Sequence, residues 1–208
     1  MGLTPPSFVR HVGRVAALPR AHVDTDQIIP KQFLKRIERT GFGPFLFHDW
    51  RYGPDGSADP AFELNRPEAA GATILVAGAN FGCGSSREHA VWALQEYGFR
   101  AILAESFADI FYANCCQNGL LPVRLGPGEM RELFARCQRS GGVYDLFVDL
   151  EAMLVKDGHG FRATFAMDPY RREMLLCGRD EIDRTLLEAD RIATYERTRD
   201  AGGGMRDA

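Results

Sequence analysis

No Cys-x2-Cys pair and no His-x3-His pair occurs in the 208 residues, and no apolar run approaches the ~20 residues of a membrane-spanning helix. The five cysteines, Cys83, Cys115, Cys116, Cys137 and Cys177, are odd in number and irregularly spaced. That pattern argues against a disulfide framework, a zinc site and a self-contained iron–sulfur cluster. The adjacent pair Cys115 and Cys116 invites a metal reading, but buried cysteines are common in reduced proteins. A structural role is therefore expected for all but Cys83. His11, His22, His48 and His159 are scattered, with no metal spacing among them. Basic blocks are missing as well: the net charge is −3 with the signs mixed, which speaks against nucleic acid. Residues 1–6 lack a charged stretch followed by an apolar one, and Pro6 stands where a myristoylation signal needs Ser or Thr. A soluble, cytoplasmic chain is expected. There is no internal repeat.

What is present begins with composition. An apolar content of 45% is enough for a full core, and the length suits one domain. The most informative stretch is Asn80-Phe81-Gly82-Cys83-Gly84-Ser85-Ser86-Arg87-Glu88-His89-Ala90. It follows the apolar run 73–77 and precedes Ala90, Val91, Leu94 and Tyr97 at helical spacing, so the order is strand, glycine turn, helix. Gly82 and Gly84 permit a tight turn, and Ser85 and Ser86 sit where a helix N-cap is expected. Unpaired amides at such a terminus attract anions, and Arg87 adds a forked cation. The turn is not a dinucleotide fingerprint, a phosphate loop or a nucleophile elbow, because none of those glycine spacings is met. From spacing alone, a capped structural turn and a carboxylate-holding active site both remain open.

Along the chain, residues 8–29 look strand-rich, and 30–67 form an aromatic, loop-rich insertion. Strands at 73–77, 101–105 and 120–125 then alternate with helices from 87, near 107–114 and near 128–138, which predicts βαβ units on a largely parallel sheet. Further strands are expected at 143–150, 153–155 and 161–165, with a turn starting at Lys156-Asp157-Gly158. Helices near 169–176 and 181–198 follow. The tail 200–208, with its three consecutive glycines, is expected to be disordered.

The glycine-turn motif, with Val23-Asp24-Thr25-Asp26-Gln27-Ile28-Ile29-Pro30-Lys31 upstream and Ser106-Phe107-Ala108-Asp109-Ile110-Phe111 downstream, resembles the swivelling domain of the aconitase superfamily. Within it, the closer likeness is to the small-subunit family of 3-isopropylmalate dehydratases, and it runs from about residue 8 to 195. Three long motifs in family order make the resemblance specific.

The resemblance implies an α/β fold, a three-layer β/β/α swivelling domain spanning 1–199. It also implies a hydro-lyase that converts 2-isopropylmalate to 3-isopropylmalate in leucine biosynthesis. The partner would be a separate large subunit holding a 4Fe–4S cluster, with no metal and no cofactor on this chain. Matched position by position, Ser85 would be the base, and Arg87 would grip a substrate carboxylate. Ser86 would cap the helix or donate to substrate. Asp26 matches an active-site aspartate, and the loop after it sorts substrates in relatives. There Ile29 would offer an apolar contact for the isopropyl group, with Lys31, Arg36 or Arg39 as a nearby cation.

Blander readings stand beside these. His89 is expected to be structural. Glu88 would complement the helix dipole or pair with an arginine, and Asp109 would cap the following helix. Phe42 to Tyr52 would be core and subunit contact. Two alternatives use the same residues: a small subunit for homoaconitate or a methyl-substituted malate, and a non-catalytic module whose residues 85–87 form an anion nest.

Overall fold

The computed structural model describes residues 5–35, 40–85, 87–178 and Tyr195. The expectations for Ser86, Arg36, Arg39, the last helix as a whole and the tail lie outside the described residues.

The sheet is built outward from one strand, β1 (Arg10–Leu18). Its second half, Val15 to Leu18, pairs in parallel with β2 (Ile74–Ala77). β2 pairs in parallel with β3 (Ala101–Ala104), and β3 with β4 (Leu121–Arg124). The first half of β1, Arg10 to Arg14, pairs instead antiparallel with β5 (Asp145–Asp149). Beyond β5 come β6 (Leu154–Lys156) and β7 (Arg162–Thr164), both antiparallel. The order is β4-β3-β2-β1-β5-β6-β7.

The sheet is thus more mixed than the strand–helix alternation predicts, for a reason of connection length. A parallel return needs a crossover of about a dozen residues or more, and the β5–β6 and β6–β7 links are too short for one. Residues 19–29, expected to be strand-rich, instead form a loop and the one-turn helix α1 (Thr25–Ile28).

Burial follows pairing. Every residue of β2 and β3 is buried, as suits continuous apolar strands in the parallel half. Pro122, which has no amide to give to a ladder, lies in the edge strand β4. The aromatic insertion holds three-residue 3₁₀ turns and the short helix α2 (His48–Arg51). It is core on its inner side: Phe42 and Phe47 are fully buried, and Phe47 stacks on Trp50.

The longer helices are α3 (Glu88–Tyr97), α4 (Asp109–Gln117), α5 (Pro127–Arg139) and α6 (Pro169–Cys177). α5 and α6 both begin on a proline, which fits the first helical turn because its missing amide would be unpaired there anyway. With the two sheet halves these helices make the expected three-layer α/β architecture. Cys115, Cys116 and Cys137 are packed into its core. Burial pushes the thiols of Cys116 and Cys137 up to about 12 and about 11, so they stay protonated and inert.

Candidate active site

Because β1, β2 and β3 are parallel neighbours, their C-terminal ends lie along one edge of the sheet, where ligand sites of open α/β sheets form. Residues 23–31 follow β1, residues 80–90 follow β2, and residues 106–111 follow β3. Three segments far apart in sequence therefore meet, and backbone hydrogen bonds join them. Gly82 N–H donates to the Val23 carbonyl at 2.8 Å, and Thr25 N–H to the Cys83 carbonyl at 2.9 Å. Phe81 N–H donates to Ser106 O at 3.0 Å, and Ala108 N–H returns to Phe81 O at 3.1 Å.

The glycines are required by these approaches. Gly82 has φ +75°, and a Cβ there would lie 2.1 Å from the Phe111 ring. Gly84 has φ +84°, and a Cβ would lie 2.2 Å from the Asp24 carboxylate. Both combine a left-handed backbone with a contact that no side chain would fit.

Residues 24–26 grip the turn in register. Asp24 caps α1: its Oδ1 accepts from Asp26 N–H at 2.6 Å, and its own N–H donates to Gln27 Oε1 at 2.8 Å, a closed capping box. The Thr25 hydroxyl donates to the Ser85 carbonyl at 2.5 Å. Asp26 accepts from Arg87 Nη1 and lies 3.1 Å from Lys31 Nζ. One carboxylate thus stands between two cations, holding the Arg87 guanidinium in place while Lys31 remains largely exposed.

Ser85 is exposed at this edge. It does not cap the helix. Arg87, with extended backbone, is the N-cap of α3, so Ser85 lies two residues before it, and Arg87 itself caps with no side-chain bond. Ile29 differs more sharply from expectation. It is fully buried in the core, so in this arrangement it offers no surface to a ligand. An apolar residue ending a one-turn helix is pulled inward with Ile28 beside it, since burying such a side chain is worth about 1.5–3 kcal/mol.

The remaining residues fall on the bland side. His89 packs edge-on against Phe42 and beside Trp92. Burial lowers its pKa; Glu88 opposes that shift and Arg87 adds to it. Glu88 sits in the first turn of α3 and accepts from Asn118, not from an arginine. Asp109 is the first residue of α4, whose cap is Ala108, and it faces Arg124 at 3.6 Å. Burial, then the nearby Asp24 charge, raises the Cys83 pKa, so Cys83 borders the turn as a protonated thiol.

Two contributors escape a reading of the sequence. Thr25, between two aspartates, is buried behind Ser85. Glu96, in the last turn of α3, accepts three backbone amides, from Gly41 at 2.9 Å, Phe42 at 2.5 Å and Gly43 at 2.9 Å. It ties the first half of the insertion to the helix that Arg87 begins. The signal for Glu96 was the Gly41-Phe42-Gly43 run, whose amides need an acceptor.

Two clefts, of about 740 and 540 Å³, lie elsewhere. The first runs between β1, the 3₁₀ turns near Glu63 and Glu68, and α5; the second lies between α4 and α6. Neither is lined by the converging motifs.

The aconitase C-terminal domain family matches residues 6–128. The small subunit of 3-isopropylmalate dehydratase from Geobacillus kaustophilus (strain HTA426) is 62% identical over 190 residues, covering 91% of this chain and 95% of its own. The chain belongs to the 3-isopropylmalate dehydratase small-subunit family. The Rhodopirellula baltica small subunit is 57% identical over 93% of this chain and 98% of its own length. Among solved structures, a 3-isopropylmalate dehydratase from Methanocaldococcus jannaschii superposes with a TM-score of 0.64 at 26% identity, covering 88% of this chain and 99% of that one.

For this small-subunit family member the metal question is one of donors. Among the described residues no three His, Cys, Asp or Glu side chains group closely enough to hold a metal ion. All five cysteines are free, and three are sealed in the core. The donors at hand do not fit a cluster. No described helix is long and apolar enough to cross a membrane.

Proposed function

We propose that this chain, joined to a large subunit, interconverts 2-isopropylmalate and 3-isopropylmalate by dehydration and rehydration in leucine biosynthesis. Ser85 is the base. Its Oγ takes the proton from the carbon next to a substrate carboxylate as hydroxide leaves the neighbouring carbon, giving an unsaturated diacid. On rehydration the proton and the hydroxyl return with their positions exchanged. A 4Fe–4S cluster carried by the large subunit supplies the Lewis acid for the departing hydroxide.

A serine hydroxyl is a weak base in water, and its surroundings make the difference. The Arg87 guanidinium and the opening amides of α3 favour negative charge at Ser85. Arg87 also receives the substrate carboxylate: Asp26 engages Nη1, and the rest of the fork can turn to a second carboxylate. Lys31 shares Asp26 and adds positive charge for a dianionic substrate. The exposure of Ser85 supports a site whose other wall is the large subunit. The free cysteines suit the cytoplasm.

The reading is supported by two contacts, Thr25 to the Ser85 carbonyl and Asp26 to Arg87, with the exposed Ser85 two residues before an arginine held by a carboxylate. Ser85→Ala in the assembled enzyme tests it. With the turn and Arg87 intact, kcat should fall by about 10²–10⁴-fold while KM moves little. A folded, partner-bound variant with near-normal turnover would remove Ser85 from the chemistry.

A further inference from the structure

From the packing behind the glycine turn we infer that Thr25 is a positioning residue for Ser85. The inference rests on Ser85 as the base and deepens that reading.

Thr25 is fully buried, and among the described residues only Asp149 is another buried polar or charged residue. A buried hydroxyl is costly unless it is hydrogen-bonded, and among the described residues this one has one short partner, the Ser85 carbonyl at 2.5 Å. The same residue's N–H holds the Cys83 carbonyl at 2.9 Å. Thr25 therefore grips the turn at two carbonyls, one on each side of Gly84.

Among the described residues no other hydrogen bond reaches the backbone between those points. α3 starts only at Glu88, so the Ser85 carbonyl lies outside the helical ladder. Gly84, left-handed and without a side chain, lies between the two carbonyls. Left alone, the backbone at Ser85 could rotate and carry the Ser85 hydroxyl with it. The Thr25 bond fixes the plane of the peptide that carries the Ser85 carbonyl, and with it the direction in which Cα–Cβ of Ser85 points.

The platform beneath is firm. Thr25 opens α1, whose capping box is closed by Asp24 and Gln27, and Val23, Ile28 and Ile29 around it are fully buried. A base that must meet one carbon–hydrogen bond gains from such fixing, because a misplacement of about 1 Å can cost about 10²-fold in rate.

The test is a double-mutant cycle in the assembled two-subunit enzyme, read as kcat and KM on 2-isopropylmalate, with folding and subunit association measured for each variant. Thr25→Val keeps the shape and removes the donor; kcat should fall about 10–10²-fold while KM stays within about threefold. Thr25→Ser restores the donor and should return kcat to within about threefold of the parent. On a Ser85→Ala background, Thr25→Val should lower the residual rate by less than about twofold, since there is no hydroxyl left to aim.

Should the valine variant not fold, Thr25→Ala takes its place in the same cycle. An unchanged kcat in the donor-free variant, or losses that multiply on the Ser85→Ala background, would overturn the role of Thr25. So would a Thr25→Ser enzyme as slow as the donor-free one. If Ser85→Ala itself turns over normally, the base assignment fails first, and that outcome is separate from any result at Thr25.

Discussion

Arg87 is both a held group and a holding one. Asp26 fixes its Nη1, and only 17% of the side chain is exposed, so its guanidinium plane is set before substrate arrives. Fixing a planar fork in advance reduces the entropy lost when it binds a carboxylate. Arg87→Lys keeps the charge and loses the fork. It should raise KM and lower kcat, with a combined loss in kcat/KM of about 10–10²-fold, the worth of one hydrogen bond between charged groups. Steady-state kinetics of the assembled enzyme check this, and a change in kcat alone would mean that Arg87 acts on the base and not on substrate. At the same scale, Ile29 shows how one residue type serves two readings: its apolar side chain suits an isopropyl group, and the same character draws it into the core, where it lies in this chain.

Elements read more easily than residues do. α3, α5 and α6 are legible because helical period agrees with the signals at their ends, prolines opening α5 and α6 and glycines following α3 and α6. The N-cap, expected at Ser85 or Ser86, lies at Arg87, where Thr25 and Asp26, distant in sequence, hold Ser85 and Arg87 ahead of the helix that starts at Glu88. The role of Glu96 was hidden for the same reason: its three amide partners lie more than fifty residues upstream.

The β6–β7 turn carries a pH signature of its own. Asp157 accepts from Tyr144 Oη–H at 2.6 Å, Arg136 Nη1 at 2.9 Å, and the amides of His159 and Phe161. Burial pushes its carboxyl up, but these donors outweigh burial and hold it below the ordinary carboxylate value. A carboxyl depressed in the native state stabilises the fold fully above its unfolded pKa of about 3.9, and that contribution drains away as pH falls toward the native value. Asp157→Asn should therefore lower the urea midpoint at neutral pH, and the gap between variant and parent should narrow below about pH 4. A gap that stays constant with pH would show that the turn does not depend on the ionised carboxylate. The same cluster pushes the Tyr144 hydroxyl far up, through burial first and then the hydrogen bond to Asp157, so Tyr144 is a donor across the whole working range.

At the scale of the whole molecule, the fold presents its chemistry along one edge and leaves it open. Ser85 is exposed there, and neither of the two clefts is lined by the motif residues. The lone chain should therefore show no iron–sulfur absorption and no turnover of 2-isopropylmalate, and mixing it with a cluster-bearing large subunit should restore activity. Titrating one subunit against the other while following rate and absorbance measures this. An absorption band carried by this chain alone would reverse the assignment.

The double pairing of β1 bears on how the chain is made. A strand synthesised before all its sheet neighbours takes the middle of the sheet, and its two halves wait for different partners. Val15 to Leu18 has no neighbour until β2 appears, and Arg10 to Arg14 has none until β5 has been translated. Until those partners emerge β1 is a strand with open edges, and before β2 is made its apolar half is the one a second nascent chain could capture. Pairings this distant in sequence also close slowly. The strand that unites the finished sheet is thus the point at which an unfinished chain is most exposed to aggregation.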